Sequence, residues 1–226
     1  MKDLASQVLK GDTRSIARLI SLVENNSPNV ADAMKRIHPH GGKAHVIGIT
    51  GVMGSGKSTL IYELANEYLK KGKTVGIIAI DPTSPFSGGA LLGDRIRMME
   101  LATDEGVFIR SMGTRGMLGG LTSSIYDVVE ILDASGKDIV IVETVGVGQA
   151  EVDVVKIADT TLVVLVPGLG DSIQTIKAGI MEIADIFVVN KADRGGVDQT
   201  IAELESLIDI SCANEDRRTP SFIAGR

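Results

Sequence analysis

Tryptophan is absent from the 226 residues, cysteine occurs once, at Cys212, and the only histidines are His38, His40 and His45. A single cysteine excludes an intrachain disulfide and any metal site built from a cysteine cluster. No apolar run approaches the ~18 residues that a membrane-spanning helix requires. Met1 to Lys10 alternates charged with apolar residues and lacks the apolar centre of a secretory signal. Positive charge is not in excess either. Lys and Arg number 23 against 29 Asp and Glu, a net charge of −6, which argues against binding nucleic acid by general phosphate neutralisation. The expectation is a cytoplasmic protein that works on neither a membrane nor a nucleic acid.

Apolar residues, at 44%, suffice for a sizeable core and are too many for a disordered chain. Glycine is abundant, with 26 residues in no collagen-like period, which suggests many tight turns between short elements. The first forty residues carry a helical period. Leu4, Val8 and Leu9 share one face; Ile16, Leu19, Ile20 and Val23 share another. Asp12 is placed to cap the second helix, and a third can start at Pro28 and end near His38-Pro39.

From Ala44 the pattern changes. Val- and Ile-rich runs at 44–50, 74–80, 107–111, 138–143, 161–166 and 184–190 alternate with helix-length segments. The helices are expected at 57–71, 91–103, 121–135, 151–157, 172–183 and 198–207. Nearly continuous apolar strands between helices predict an α/β fold with a mostly parallel central sheet flanked by helices. The expected organisation is an N-terminal helical extension, 1–42, and one nucleotide-binding domain, 43–226, joined at His40-Gly41-Gly42.

Gly51-Val52-Met53-Gly54-Ser55-Gly56-Lys57-Ser58 matches the phosphate-loop pattern G-x-x-x-x-G-K-[ST], and it lies between a predicted strand and a predicted helix. A plain strand-to-helix turn with a surface lysine would not require that spacing. Glycines at 51, 54 and 56 let backbone N–H groups converge on phosphate oxygens, and the helix N-terminus adds partial positive charge. Lys57 would reach the β- and γ-phosphates and Ser58 would offer its hydroxyl to Mg²⁺.

The strand at 184–190 runs into Asn190-Lys191-Ala192-Asp193, the N-K-x-D pattern of guanine recognition. Asp193 can accept from guanine N1–H and the 2-amino group; under adenine the carboxylate would be left unpaired. A mismatch of that kind can be worth a factor of about 10⁴. The Lys191 stem can lie over the base, and Asn190 can tie this loop to the phosphate loop. Such a tetrapeptide also suits any polar turn, but its place at the carboxyl end of a strand favours the guanine reading.

Ligand sites on open α/β sheets lie beyond the carboxyl ends of strands. Asp81 and Glu143 end two predicted strands there, and Asp94 closes the loop after Asp81. Strand-end or helix capping is the simpler role for each; a carboxylate at this place can also hold Mg²⁺ directly or through water. Gly146, in Thr144-Val145-Gly146-Val147-Gly148-Gln149, is placed to sense a γ-phosphate, whose loss would release the following segment.

Six stretches together resemble the MeaB/ArgK family of P-loop GTPases, the G-protein chaperones of adenosylcobalamin-dependent methylmalonyl-CoA mutase. They are GVMGSGKST (51–59), AIDPTSPFSGGALLGDR (79–95), FIRSMGTRGMLGGL (108–121), ETVGVGQAEVDV (143–154), GLGDSIQTIKAGIMEIAD (168–185) and VVNKAD (188–193). The resemblance implies that Gly51, Gly54, Ser55, Gly56, Lys57, Ser58 and Thr59 cradle GTP, with Gly146, Asn190, Lys191 and Asp193. It implies a Mg²⁺ neighbourhood of Ser58, Asp81, Asp94 and Glu143. Catalytic roles then fall to Lys57, Glu143 and Asp94. Residues 81–94 would be a first switch and 146–151, with Gln149, a second. Residues 170–179, with Asp171, Gln174 and Lys177, would be a third that signals to the mutase. The family uses GTP hydrolysis to gate cobalamin delivery and to protect the enzyme, and works as a homodimer. An older family label describes a lysine/arginine/ornithine transport kinase.

Two other functions compete. His38-x-His40 suggests a nickel-delivering metallochaperone GTPase, but no cysteine lies near and a capping or linker role fits the pair better. A P-loop kinase is disfavoured by Asn190–Asp193. Arg95, Arg110 and Arg115 could act on phosphate or at an interface; a lone loop arginine is more often in a surface ion pair, while Arg115, in a Gly-rich stretch, reads as an interface residue. The family pattern calls for one more strand, an S-A-x loop and a helical dimerisation arm after the helix at 198–207. Residues 219–223 can begin that strand. The sequence stops at Arg226, so a family member short at its C-terminus, without the arm, is expected.

Overall fold

A computed structural model describes residues 2–28, 30–81, 95–113, 120–144, 156–168, 184–211 and 220–225. The strands are β1 (His45–Gly51), β2 (Val75–Asp81), β3 (Val107–Gly113), β4 (Ile139–Thr144), β5 (Thr160–Leu165), β6 (Ile186–Val189) and β7 (Ser221–Ala224). They form a seven-stranded sheet in the order β3-β2-β4-β1-β5-β6-β7. The pairs β2/β3, β1/β5, β5/β6 and β6/β7 are all parallel. The helices are α1 (Lys2–Val8), α2 (Thr13–Glu24), α3 (Val30–Ile37), α4 (Lys57–Lys70), α5 (Arg95–Leu101), α6 (Gly120–Ala134) and α7 (Val197–Ser211). Among the described residues no helix is long and apolar enough to cross a membrane.

The chain divides into two compact units, residues 1–46 with 61–142, and residues 47–60 with 143–226. In the first, Asp12 accepts a hydrogen bond from Ser15 N–H at 2.8 Å and starts α2. The amphipathic spacing of α2 then buries Ile16, Leu19, Ile20 and Val23. Residues of α2 and α3 pack on α6. Polar contacts reinforce that packing. Asp133 of α6 accepts the N–H groups of Gly42, Lys43 and Ala44, and His38 Nδ1 lies 2.5 Å from Glu130 Oε1. Arg110 on β3 donates to Glu24 and Ser21 of α2. Strands β2 and β3 run in register from Val75 opposite Val107 to Asp81 opposite Gly113.

In the second unit β5 is central to the described parallel pairs. Gly51 of β1 stands opposite Val164, and Leu165 opposite Val189 of β6. Val163, Leu165, Phe187, Val189, Leu204 and Ile208 form its core. Phe222 of β7 stacks on Phe187 with ring centroids 5.6 Å apart. The strand anticipated at 219–223 is therefore present, one or two residues later.

The remaining differences are local. Helix α3 begins at Val30, not Pro28, and residues 38–40 form a 3-10 turn around Pro39. Helix α5 ends at Leu101, where Thr103 N–H turns back to the Glu100 carbonyl. Helix α7 runs on to Ser211. The helix expected at 172–183 lies outside the described residues, as does 151–155 of the one at 151–157; Lys156 and Ile157 form a turn.

Candidate functional site

The site is built where β1 gives way to α4. Gly51 ends the strand at φ +137°, and a Cβ there would run into the backbone of Val164 on β5. Only glycine permits so close an approach in that conformation. Gly56, at φ +93°, lies against the Asn190 amide in the same way. Between them the loop carries Ser55, fully buried, whose Oγ has no hydrogen-bond partner among the described residues.

Lys57 and Ser58 open α4, so both side chains sit at the positive end of the helix. Lys57 is 6% exposed. Its Nζ donates to the carbonyls of Gly51 at 2.8 Å and Val52 at 3.0 Å. A buried charge must find acceptors, and these two carbonyls supply them. Ser58 Oγ donates to Glu143 Oε1 at 2.8 Å, so hydroxyl and carboxylate converge as expected. Thr59 lies exposed on α4.

One pairing was not anticipated. Thr144 Oγ1 donates to Thr50 Oγ1 at 2.9 Å, both side chains buried. Each threonine flanks a candidate site residue, Gly51 or Glu143, and the pair fastens the two strand ends that present them. A polar residue at the end of an apolar strand was the available signal.

The loop after β6 closes over the phosphate loop. Asn190 Nδ2 donates to the Ser55 carbonyl at 2.8 Å, the tie expected of it, and Lys191 Nζ donates to the Gly54 carbonyl at 2.7 Å. Lys191 holds φ +58°, a left-handed conformation that costs a non-glycine residue about 1 kcal/mol and persists only where contacts enforce it. Asp193 follows in a 3-10 turn, with its side chain exposed.

Ser58 and Glu143 offer hard oxygen ligands 2.8 Å apart and no sulfur. That donor set fits Mg²⁺, which takes few protein ligands and keeps waters and phosphate oxygens in its shell. Asp81 ends β2; its side chain lies outside what is described. Asp94, Gly146, Gln149, Asp171, Gln174 and Lys177, and also Arg115, lie outside the described residues.

A glycine loop between a buried strand and a helix, with lysine and serine in the first helical turn and a carboxylate at a neighbouring strand end, defines a P-loop nucleotide-binding domain. The profile of the family described as methylmalonyl Co-A mutase-associated GTPase MeaB matches residues 16–225, and the chain belongs to that family. It is 59% identical over 208 residues to a putative GTPase of Pyrococcus horikoshii, covering 92% of this chain and 66% of that protein. It is 39% identical over 188 residues to the GTPase ArgK of Escherichia coli, covering 81% of this chain and 57% of that one. A crystal structure described as LAO/AO transport system kinase superposes with a TM-score of 0.74 at 26% identity, covering 99% of this chain and 68% of the other. The chain thus spans about two thirds or less of the length of these curated relatives.

Proposed function

We propose that this chain binds GTP with Mg²⁺, hydrolyses it to GDP and phosphate, and uses that cycle as a cytoplasmic chaperone. Its client would be an adenosylcobalamin-dependent acyl-CoA mutase of the methylmalonyl-CoA type, whose cofactor delivery it gates and which it protects. The observation that carries the guanine reading is the pair of hydrogen bonds from Asn190 and Lys191 to Ser55 and Gly54. The residues that would read the base are fastened to the loop that would hold the phosphates. The family membership supports the mutase as client.

In the proposed reaction water attacks the γ-phosphorus in line with the departing GDP oxygen. Positioning and charge neutralisation carry most of the acceleration. The backbone N–H groups of the phosphate loop hold the β- and γ-phosphate oxygens. Lys57 leaves its loop carbonyls for them, exchanging neutral acceptors for anionic ones. Mg²⁺, when bound, would supply further charge neutralisation, and Ser58 and, directly or through water, Glu143 would hold it. Glu143 also helps to place the attacking water. Asp81, Asp94, Gly146 and Gln149 belong to the proposed switches, and Asp171, Gln174 and Lys177 to the segment that would signal to the mutase.

The test has two arms. Nucleotide competition should favour GDP and GTP over ADP and ATP; preferential binding of ATP would remove the guanine assignment and favour a kinase. Co-purification with a cobalamin-dependent acyl-CoA mutase should be nucleotide-dependent, and the mutase should accelerate a slow intrinsic GTPase. Fast turnover that ignores the mutase would defeat the chaperone reading.

A further inference from the structure

The amide of Asn190 is held between two glycines. Its Nδ2 donates to the Ser55 carbonyl at 2.8 Å, and a carbonyl can be met only by the NH₂ end of an amide. That bond fixes which way the group faces. Its NH₂ end rests against Gly56, where a Cβ would collide with it, and Oδ1 faces Gly225. A Cβ added at Gly225 would stand 2.9 Å from Oδ1, while the Asn190 Cα would be at 3.5 Å, an ordinary contact. The backbone thus has room for a side chain at 225 and the amide does not.

Neither party can retreat. Gly225 N–H donates to the Val189 carbonyl at 2.9 Å, and its own carbonyl accepts from Ala192 N–H at 2.9 Å. Those bonds grip the Asn190-Lys191 loop from both sides. If the amide moves away from residue 225 it either presses on Gly56 or gives up Ser55. Gly225 is outside the positive-φ glycines, so alanine there would be resisted by the amide, not by the backbone angle.

We propose that Gly225 is a positioning residue for the base-reading loop. Its missing side chain is what lets Asn190 clamp the phosphate loop, and so it sets guanine-nucleotide affinity. This rests on the guanine reading above.

The experiment is a double-mutant cycle on the 226-residue chain with Gly225→Ala and Asn190→Ala, reading GDP affinity by fluorescence of methylanthraniloyl-GDP and melting temperature without nucleotide. Gly225→Ala alone should weaken GDP about tenfold, the usual scale of overpacking. In the Asn190→Ala background the same substitution should change affinity by less than about twofold, because the atom it strikes is gone. Wild-type affinity in Gly225→Ala, or an equal loss on both backgrounds, overturns the proposal. Should Gly225→Ala fail to fold, recovery of a cooperative melt in the double variant supports the proposal and its absence overturns it. A wild type that prefers ADP refutes the guanine reading instead; the cycle is then read with ADP, since the clamp acts on the phosphate loop. If no nucleotide binds, the proposed role in nucleotide affinity is overturned together with the guanine reading.

Discussion

Ser58 Oγ donates to Glu143 Oε1 across 2.8 Å, which brings the first turn of α4 and the carboxyl end of β4 to a single pair of oxygens. Their separation in sequence is large, yet each is delivered by a rigid element, and the pair is the donor set proposed for Mg²⁺. Glu143→Gln keeps the size and the acceptor oxygen but removes the charge. Mg²⁺-dependent GTP turnover should fall by about a hundredfold or more, the scale of losing one electrostatic element of a phosphoryl-transfer site. Nucleotide binding measured in EDTA should change by less than about threefold, since the phosphate loop is untouched. Equal losses with and without Mg²⁺ would assign Glu143 to structure alone.

Lys57 spans both tasks. Its ammonium bonds the carbonyls of Gly51 and Val52 and is proposed to move to the phosphates. Lys57→Ala should reduce GTP affinity by about a hundredfold, the scale of removing a charge-assisted hydrogen bond from a buried site. Lys57→Met keeps the apolar stem and should not recover it. Titration calorimetry with GDP and GTP checks both variants.

Asp193 is exposed in its 3-10 turn, so its replacement should leave the fold alone. Asp193→Asn exchanges an acceptor for a donor at the proposed base edge. Preference should shift from GDP toward XDP by about 10² or more, because xanthine presents a carbonyl where guanine presents its amine. An unchanged GDP to XDP ratio would show that this loop does not read the base.

Asp133 collects the N–H groups of Gly42, Lys43 and Ala44 onto one carboxylate. Asp133→Ala should cost about 2 kcal/mol in urea denaturation, because several charged hydrogen bonds at a fixed turn disappear together. Asp133→Asn, which keeps an acceptor, should cost less.

Asp127 on α6 answers to pH. Burial, and secondarily the charge of Glu130, holds its carboxyl above the ordinary aspartate range. A raised folded-state pKa means that the ionised form is disfavoured by folding. Its contribution to stability is complete below the unfolded pKa and is lost as pH rises through the folded one. Asp127→Asn should therefore raise the melting temperature at pH 7, and the gain should vanish on acidification below about pH 4, the ordinary aspartate pKa. A gain that persists at low pH would point to packing rather than charge.

The phosphate loop and the Asn190–Asp193 loop were legible because each is a run of consecutive residues whose chemistry is written in its spacing. The strands were legible because both faces of the sheet are covered, which leaves continuous apolar runs such as Val140-Ile141-Val142, all buried. Boundaries slipped by a residue or two wherever a turn competed with a helix, as at Pro39 and Leu101. The pairing of Arg110 with Glu24 joins residues far apart in sequence, and nothing local to either specified it.

By itself the sequence determined the order of elements, the phosphate loop and the residues able to meet a base, since those depend on local period and on short-range spacing. Tertiary structure alone decided which distant groups touch. Parallel register set Gly51 against Val164, strand ends brought Thr50 to Thr144, and β7 carried Gly225 to the amide of Asn190. Contacts of that kind follow from strand register and helix orientation, which no neighbouring residue specifies.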